Sequence, residues 1–348
     1  MNDTIINYPV LEVFDKNSEL SSSEVANLIK QDLSLVTVKR QLSALYKLDF
    51  LSKFGAGRSV KYKLSKKGLI LRPVDTKTYL SKPLDDRIAA NYFQFDIFEQ
   101  PFIGLFSSKE LALLEEATKH FHNKSNLVDL NASKKELMRF IVEFSWKTSQ
   151  IEGNTYDLIS TEKLLLYGER SPSNTEFEAQ MILNQKDALE FILENPKIWR
   201  HPSLPLIGKL HDFVGKNLNI TRGFRKTLVG ITGTNYRPLE NEFQIKEAVN
   251  KLLTYIGYTQ NNYEKALLSV LGLSYIQPFV DGNKRTSRLL GNAILISDNL
   301  APLSYRSVND RSYKEATLVF YEQNSVIPFK ELFIEQYIFS AENYNLNI

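Results

Sequence analysis

The chain has 348 residues, of which 43% are hydrophobic and 24% charged, and its formal net charge is +3. These proportions are typical of a folded protein of two or three domains and exclude an intrinsically disordered chain. No cysteine is present, which excludes disulfides, thiolate zinc sites and cysteine nucleophiles. No apolar run approaches the ~18 residues that span a bilayer, and the first residues lack the features of a secretory signal. We therefore expect a cytoplasmic protein with no membrane partner.

Residues 1–75 predict a small domain of helices followed by a hairpin. The segment 5–14 is rich in apolar residues, serines at 21–23 can cap a following helix, and Thr37 is predicted to cap the next one. Two short runs on either side of glycines 55 and 57 indicate paired strands. The order helix, helix, helix, hairpin resembles that of a winged helix-turn-helix domain.

Basic residues are concentrated in the second half of this domain. Nine of the residues from 39 to 67 are Lys or Arg, and Asp49 is the only acidic one among them. Such a local excess is typical of contacts to a phosphate backbone, so DNA is a predicted partner. The alternatives are a solvated basic face or a winged helix that docks a protein. The candidate DNA-binding residues are Thr37, Lys39, Arg40, Arg58, Lys61 and Lys63.

The rest of the chain is predicted to be a linker and a helical domain. Residues 76–105 include prolines without a helical period and indicate a linker. Residues 106–348 show helical spacing of apolar residues almost throughout, so the fold class is predicted to be mainly α. The exception is the segment 227–238, whose β-branched residues and glycines favour a hairpin or an extended flap.

The turn at residues 281–283 is the most informative feature of the chain. It leads directly into a predicted helix that carries Arg285 and Arg288 on one face. Gly282 permits close approach of the backbone to a ligand, and amides at a helix start attract anions. Guanidinium groups bind phosphate oxygens in bidentate fashion, and Asp281 has the oxygen donors that Mg²⁺ prefers. The turn therefore predicts a nucleotide site; the alternative is an ordinary surface turn with a capping aspartate.

Residues 277–288 closely resemble the signature of the Fic family, His-x-Phe-x-Asp/Glu-Gly-Asn-Gly/Lys-Arg-x-x-Arg. Leu210-His211 and residues 222–225 resemble further segments of that family, and residues 105–340 fit it as a whole. The resemblance implies a Fic-type helical bundle with a flap that binds ATP and Mg²⁺. It also implies transfer of AMP to a Tyr, Thr or Ser hydroxyl of a target protein. One departure is large: Gln277 occupies the position of the family's catalytic histidine.

The resemblance assigns roles to individual residues. Asp281 would hold Mg²⁺, Arg285 would contact the phosphates, and Arg288 would hold the terminal phosphate. Gly282 and Asn283 would line an anion hole, with Lys284 as an accepted variant beside them. The candidate catalytic residues are Gln277, Asp281, Asn283, Arg285 and Arg288, and the candidate nucleotide-binding residues are Gly282, Asn283, Lys284, Arg285 and Arg288. The flap residues expected to clamp the target are Thr232, Gly233, Thr234, Asn235 and Tyr236.

Residues 148–154 resemble the inhibitory motif of the same family, Ser/Thr-x-x-x-Glu-Gly/Asn. In members with that motif the glutamate, here Glu152, pairs with the second arginine, here Arg288, and blocks seating of the γ-phosphate. The alternative is a glutamate near a helix end that is followed by a glycine stop. The candidate inhibitory residues are Thr148, Glu152, Gly153 and Asn154.

Gln277 raises the question of how the proton of the attacking hydroxyl would be removed. A general base contributes ~10²–10⁴-fold to such reactions, and a glutamine amide has no useful basicity. Three interpretations stay open: weak or absent AMP transfer with retained nucleotide binding, another base such as Glu152 or a group on the target, or a related phosphate reaction. We favour the first. The alternative function is a nucleotide-sensing, DNA-binding transcriptional regulator with a catalytically dead core, and a homodimer is a further candidate assembly.

Overall fold

The computed structural model describes residues 9–14, 18–29, 31–87, 92–98, 104–125 and 130–347. These residues are mainly helical and contain one two-stranded sheet, which confirms the predicted mainly α fold class. None of the helices in this part of the chain has the length and apolar character that crossing a bilayer requires. Contacts divide the chain into two compact units. The first comprises Met1–Asn91, Ile231–Tyr236 and Lys314–Glu331, and the second comprises Tyr92–Gly230, Arg237–Tyr313 and Leu332–Ile348.

The first unit begins with three helices and a hairpin. Its elements are α1 (Pro9–Glu12), α2 (Ser22–Leu28), α3 (Leu35–Lys47), β1 (Leu51–Phe54), β2 (Lys61–Leu64), α4 (Lys66–Leu71) and α5 (Thr76–Ser81). Ser21 and Glu24 form a capping box at α2, since each side chain accepts a hydrogen bond from the other's backbone amide. Helix α3 is capped by Ser34, whose Oγ accepts from Thr37 N at 3.2 Å. The predicted cap at Thr37 is therefore wrong, because Thr37 already lies inside the helix.

The hairpin shares a core with the preceding helices. Strands β1 and β2 are antiparallel, with Leu51 opposite Leu64 and Phe54 opposite Lys61. The residues packed together in this core include Val25, Val38, Leu42, Leu45, Phe50, Leu51 and Tyr62. Helix α5 falls in the segment 76–105, which the sequence predicts to be a linker. Residues 88–91 and 99–103 of that segment, and residues 5–8 of the apolar-rich segment 5–14, lie outside the described residues.

The predicted flap at residues 227–238 contributes no strand to the described sheet; its backbone is mostly irregular, with one isolated parallel bridge between Arg237 and Tyr92. It turns at Thr232 and Gly233, and the glycine has a left-handed φ of 86°. Residues 231–236 belong to the first unit, where Gly233 O accepts from Arg87 Nη1 at 3.0 Å and Asn235 Nδ2 donates to Leu84 O at 3.2 Å. Tyr236 is buried and its ring lies 5.4 Å from that of Tyr321. The hairpin alternative is therefore not observed at these residues.

The second unit is built from long helices. Its helices are α6 (Ser108–Ser125), α7 (Leu130–Ile151), α8 (Leu158–Tyr167), α9 (Glu176–Glu194), α10 (Leu204–Gly215), α11 (Glu242–Tyr258), α12 (Asn262–Ile276) and α13 (Asn283–Ser297). Two more, α14 (Asp310–Gln323) and α15 (Ile327–Asn343), contribute residues to both units. Helices α12 and α13 pack directly against each other and are almost entirely buried. A Cβ on Gly291 would lie 2.5 Å from Val270 Cγ2, so this close approach requires glycine. The buried pair fixes the turn that joins the two helices.

Candidate functional site

The turn between α12 and α13 has a backbone that only certain residues adopt readily. Gln277 ends α12 with φ 52° and ψ 59°, and Gly282 precedes α13 with φ 78°. A Cβ on Gly282 would lie 2.8 Å from Val214 Cγ1 of α10. Both the left-handed conformation and this contact require glycine at position 282. The first intrahelical hydrogen bond of α13 runs from Thr286 N to Gly282 O at 2.9 Å, so three amides stand ahead of it at the helix start.

Asn283 closes the turn with its side chain. Its Oδ1 accepts from Phe279 N and its Nδ2 donates to Phe279 O, both at 2.8 Å, and the residue is buried. The Asn283 side chain, predicted to line an anion hole, therefore bonds to the backbone of its own loop. What Asn283 presents at the helix start is its backbone amide.

His211 supports the same turn from α10, a role that the sequence did not reveal. Its ring stacks on Phe279 with centroids 3.7 Å apart, and its Nε2 lies 3.0 Å from Asp281 O. Because a carbonyl oxygen can only accept, Nε2 carries the proton in this contact. Burial lowers the pKa of His211, so the ring is neutral at physiological pH. A base for a substrate hydroxyl would have to face the substrate, whereas this ring lies beneath Phe279.

Arg285 is a buried cation with an unpaired donor. The residue is 3% exposed, its Nη2 donates to Asp281 Oδ2 at 3.2 Å, and its Nη1 is buried with no hydrogen-bond partner. Burial lowers the pKa of Arg285, although Asp281 opposes that effect. An unsatisfied guanidinium nitrogen costs free energy unless a ligand satisfies it. Together with the helix-start amides it fits a phosphate group.

Arg288 lies fully buried one turn further along α13, and α7 supplies most of its partners. Its Nε donates to Thr148 Oγ1 at 2.6 Å, and its Nη2 donates to Thr148 O at 2.9 Å. Nη2 also donates to Glu152 Oε1 at 2.8 Å, and Nη1 lies 3.4 Å from the Tyr313 hydroxyl. The structure thus brings together two of the predicted inhibitory residues, Thr148 and Glu152, and the arginine predicted to hold the terminal phosphate.

Glu152 is held as a carboxylate in this position. Burial alone would raise the pKa of Glu152, but the charges of Arg288 and Lys284 outweigh it and the pKa is lowered. Lys284 Nζ lies 4.0 Å from Glu152 Oε2, so this predicted nucleotide-binding residue contacts the inhibitory carboxylate. The pair with Arg288 therefore stays ionised at neutral and mildly acidic pH.

The last two predicted inhibitory residues shape the chain after Glu152. Gly153 ends the helix with φ 98°, which is favourable for glycine. Asn154 is buried, its Nδ2 donates to Glu178 O at 2.9 Å, and its Oδ1 accepts from Tyr156 N at 3.0 Å. These bonds fasten the turn after α7 to the start of α9.

Gln277 is directed back towards its own helix. Its Nε2 donates to Ser274 O at 2.5 Å, and its backbone oxygen accepts from Arg225 Nε at 2.6 Å. Arg225 N also donates to Pro278 O at 2.9 Å, so the residue fixes the backbone of the turn. The amide at position 277 cannot take a proton from a hydroxyl.

Asp281 could bind a cation only together with other ligands. Its side chain is 61% exposed; Oδ1 accepts from Gly282 N and Oδ2 from Arg285, which leaves lone pairs on both oxygens. Across the described ranges, no group of three or more His, Cys, Asp or Glu residues is placed to hold a metal ion. One carboxylate plus phosphate oxygens is a usual arrangement for Mg²⁺. Asp281 is therefore suited to a Mg²⁺ ion that arrives with a nucleotide.

The predicted DNA-binding residues lie on three elements of the first unit. Four of them, Lys39, Arg40, Arg58 and Lys63, are exposed, while Thr37 and Lys61 are half-buried. They lie on α3, on the short 3₁₀ turn Gly57–Ser59 and on β2.

Residues 202–295 match the model of the Fic/DOC family. The chain is 24% identical over 260 residues to Protein adenylyltransferase fic-1 of Caenorhabditis elegans, a match that covers 71% of this chain and 50% of that protein. It is 27% identical over 244 residues to Protein adenylyltransferase Fic of Nematostella vectensis, which covers 68% of this chain and 55% of that protein. The chain thus spans about half the length of these curated relatives.

Solved structures share the fold. A fragment of Fic-1 from C. elegans superposes with a TM-score of 0.56 at 21% identity, covering 68% of this chain and 71% of that one. A Fic family protein from Desulfovibrio desulfuricans G20 gives a TM-score of 0.56 at 15% identity, with 70% and 75% covered. At these identities the likeness shows the helical architecture alone.

Proposed function

We propose that this chain, whose residues 202–295 form a Fic/DOC family domain, binds ATP and is a protein adenylyltransferase held in an inhibited state. The observation that carries the proposal is the buried, unpaired Nη1 of Arg285 beside the start of α13. The Arg285 guanidinium and the amides at the start of α13 place a positive charge and hydrogen-bond donors at one site, as a polyphosphate requires. The names of the curated relatives support ATP as the nucleotide and a protein as the acceptor.

In the proposed reaction, the oxygen of a target hydroxyl forms a bond to the α-phosphorus of ATP, and the bond to the pyrophosphate oxygen breaks. Phosphate transfers of this kind depend mainly on positioning and on stabilising charge. Arg285 and the amides of α13 would hold the phosphates, Arg288 the terminal one, and Asp281 the Mg²⁺ that shields their charge. The flap residues Thr232, Gly233, Thr234 and Asn235 stay the predicted contact for the target, whereas Tyr236 is buried.

The hydroxyl proton has no evident acceptor at position 277. Gln277 lacks basicity, and His211 is committed to Phe279 and Asp281. We therefore expect binding of ATP with transfer far slower than a site with a histidine would give, by ~10²–10⁴-fold.

Glu152 is proposed to inhibit by occupying Arg288. Its carboxylate accepts from Nη2 at 2.8 Å, and a terminal phosphate would need the same donor. Two anions cannot share that position without strong repulsion. ATP must therefore displace Glu152 or bind with its γ-phosphate elsewhere.

Replacing Glu152 with glycine is expected to tighten ATP binding about 10- to 100-fold. A hydrogen bond to a charged group contributes ~1.5–3 kcal/mol, and ATP no longer has to break it. Glu152 follows the helix end, so glycine costs little there. Isothermal titration calorimetry of ATP with Mg²⁺ measures the change.

Glu194→Gly is the matched control, because it removes an exposed glutamate at the end of α9. Its dissociation constant should equal that of the wild type. Equal affinities for wild type and Glu152→Gly would reject autoinhibition. No binding in either would reject the nucleotide site.

A second candidate function, DNA binding by a winged helix in the first unit, has one observation in its favour. Basic side chains on α3, the 3₁₀ turn and β2 are exposed. We expect Lys39→Glu/Arg40→Glu to weaken binding of a labelled DNA duplex about tenfold and to flatten its salt dependence, measured by fluorescence anisotropy. Lys119→Glu, on an exposed face of α6, is the control. A duplex that binds wild type and double variant equally would remove DNA from the partners.

A further inference from the structure

An ion pair outside the phosphate site joins the inhibitory helix to the first turn of α14. Lys147 Nζ lies 2.6 Å from Asp310 Oδ1, with the lysine side chain 9% exposed and the aspartate 34% exposed. Lys147 Nζ also donates to Gln150 Oε1 at 3.0 Å. Lys147 is thus largely withdrawn from water, and its charge is satisfied by Asp310 and by its own helix.

Each partner of this pair is a near neighbour of a residue that touches Arg288. Thr148, next to Lys147 on α7, accepts two hydrogen bonds from Arg288. Tyr313, one turn after Asp310 on α14, lies 3.4 Å from Arg288 Nη1. The ion pair therefore connects the two helices between which the Arg288 guanidinium lies.

The opposite side of this segment is fastened to the start of α9 and to the residues between α7 and α8. Trp146 Nε1 donates to Tyr156 O at 3.0 Å, and Asn154 Nδ2 donates to Glu178 O at 2.9 Å. Glu152 itself follows the last turn of α7, so whether its carboxylate contacts Arg288 depends on the position of that turn. On the α14 side, the ion pair of Lys147 with Asp310 fixes the position of that turn.

We infer that Lys147, through its ion pair with Asp310, is a positioning residue that keeps Glu152 on Arg288. The inference rests on the proposed function, because it concerns how tightly the inhibitory carboxylate competes with ATP. Lys147 acts without touching the nucleotide: loss of the pair lets the last turn of α7 move away from α14. Glu152 then spends less time on Arg288.

The test is calorimetry of ATP with Mg²⁺ on Lys147→Met, a change that keeps the apolar stem and removes the charge. Asp310 Oδ1 is itself buried, so Lys147→Met leaves a buried carboxylate oxygen without its cation, and thermal unfolding of the variant is measured alongside. We expect ATP to bind about fivefold tighter, at the lower end of usual couplings between sites. Asp310→Asn should tighten binding likewise, and Lys147→Arg should restore the wild-type constant.

Lys186→Met is the matched control, since Lys186 pairs with Glu190 at the same 2.6 Å but within α9 alone. It should leave ATP binding unchanged. In a Glu152→Gly background, Lys147→Met should give no further tightening, because the group it positions is gone. A merely structural role for Lys147 would change affinity equally in both backgrounds and would overturn the inference.

The proposed inhibition and the positioning role of Lys147 can fail separately. If Glu152→Gly does not tighten ATP binding, the proposed inhibition is wrong. If it does, while Lys147→Met and Asp310→Asn fold with wild-type melting temperatures and bind ATP as the wild type does, only the positioning role is wrong.

Discussion

The double variant Glu152→Gly/Gln277→His is expected to transfer AMP ~10²–10⁴ times faster than Glu152→Gly alone, because it adds a general base to a site that otherwise holds its ligands. The backbone accommodates the change. Residue 277 has φ 52°, and histidine is among the residues enriched at positive φ. Its carbonyl is anchored by Arg225 Nε whatever the side chain.

The rate is measured with ATP labelled on the α-phosphate, by following label on the protein itself and on candidate targets. Glu152→Gly/Gln277→Asn is the control, since asparagine also tolerates positive φ but is no base. Equal rates for the histidine and asparagine variants, with ATP bound, would mean that position 277 is not the proton acceptor. The Glu152 alternative for the base is tested at the same time, because both variants lack that carboxylate.

The parts of the site that the sequence predicted are those encoded locally. The turn at residues 281–283, the helix after it and the two arginines one turn apart follow from spacing alone. The contact between Glu152 and Arg288 joins residues far apart in the chain, and only the family resemblance pointed to it. The resemblance alone assigned Asn283 to an anion hole, because whether its side chain faces a ligand or the loop is decided by the fold of the turn.

Other residues near the site have no local sequence pattern that would reveal their role. His211, Tyr313 and the Lys147–Asp310 pair act from helices that pack near the site, and a lone polar residue on an amphipathic helix gives no sign of its partner. Of these residues, only His211 was noted in the sequence, in the Leu210-His211 resemblance, and no role was assigned to it. In the first unit the serine cap of α2 could be predicted, since Ser21 and the amide it bonds lie within four residues. The form of the flap could not, because β-branched residues and glycines suit both a hairpin and an extended chain.

Arg285→Met is expected to abolish measurable ATP binding without lowering the stability of the protein. A phosphate loses ~two charge-assisted hydrogen bonds of ~1.5–3 kcal/mol each, so affinity falls by about 100-fold or more. The free protein loses a buried charge with an unpaired Nη1 and gains a flexible apolar side chain of similar length. Asp281, its ion-pair partner, is mostly exposed and keeps its bond from Gly282 N.

Calorimetry and thermal unfolding on the same samples separate the two effects. Arg72→Met serves as the contrast, because Arg72 is also buried but donates to Phe14 O and to Gln323 within the first unit. It should lower the melting temperature and leave ATP affinity unchanged. A buried arginine that serves a ligand lowers stability in the free protein and is needed for ATP binding. A buried arginine that serves the fold raises stability and is not needed for ATP binding. If Arg285→Met unfolds at a lower temperature and still binds ATP, then the Arg285 guanidinium serves the fold, and the site must be sought elsewhere.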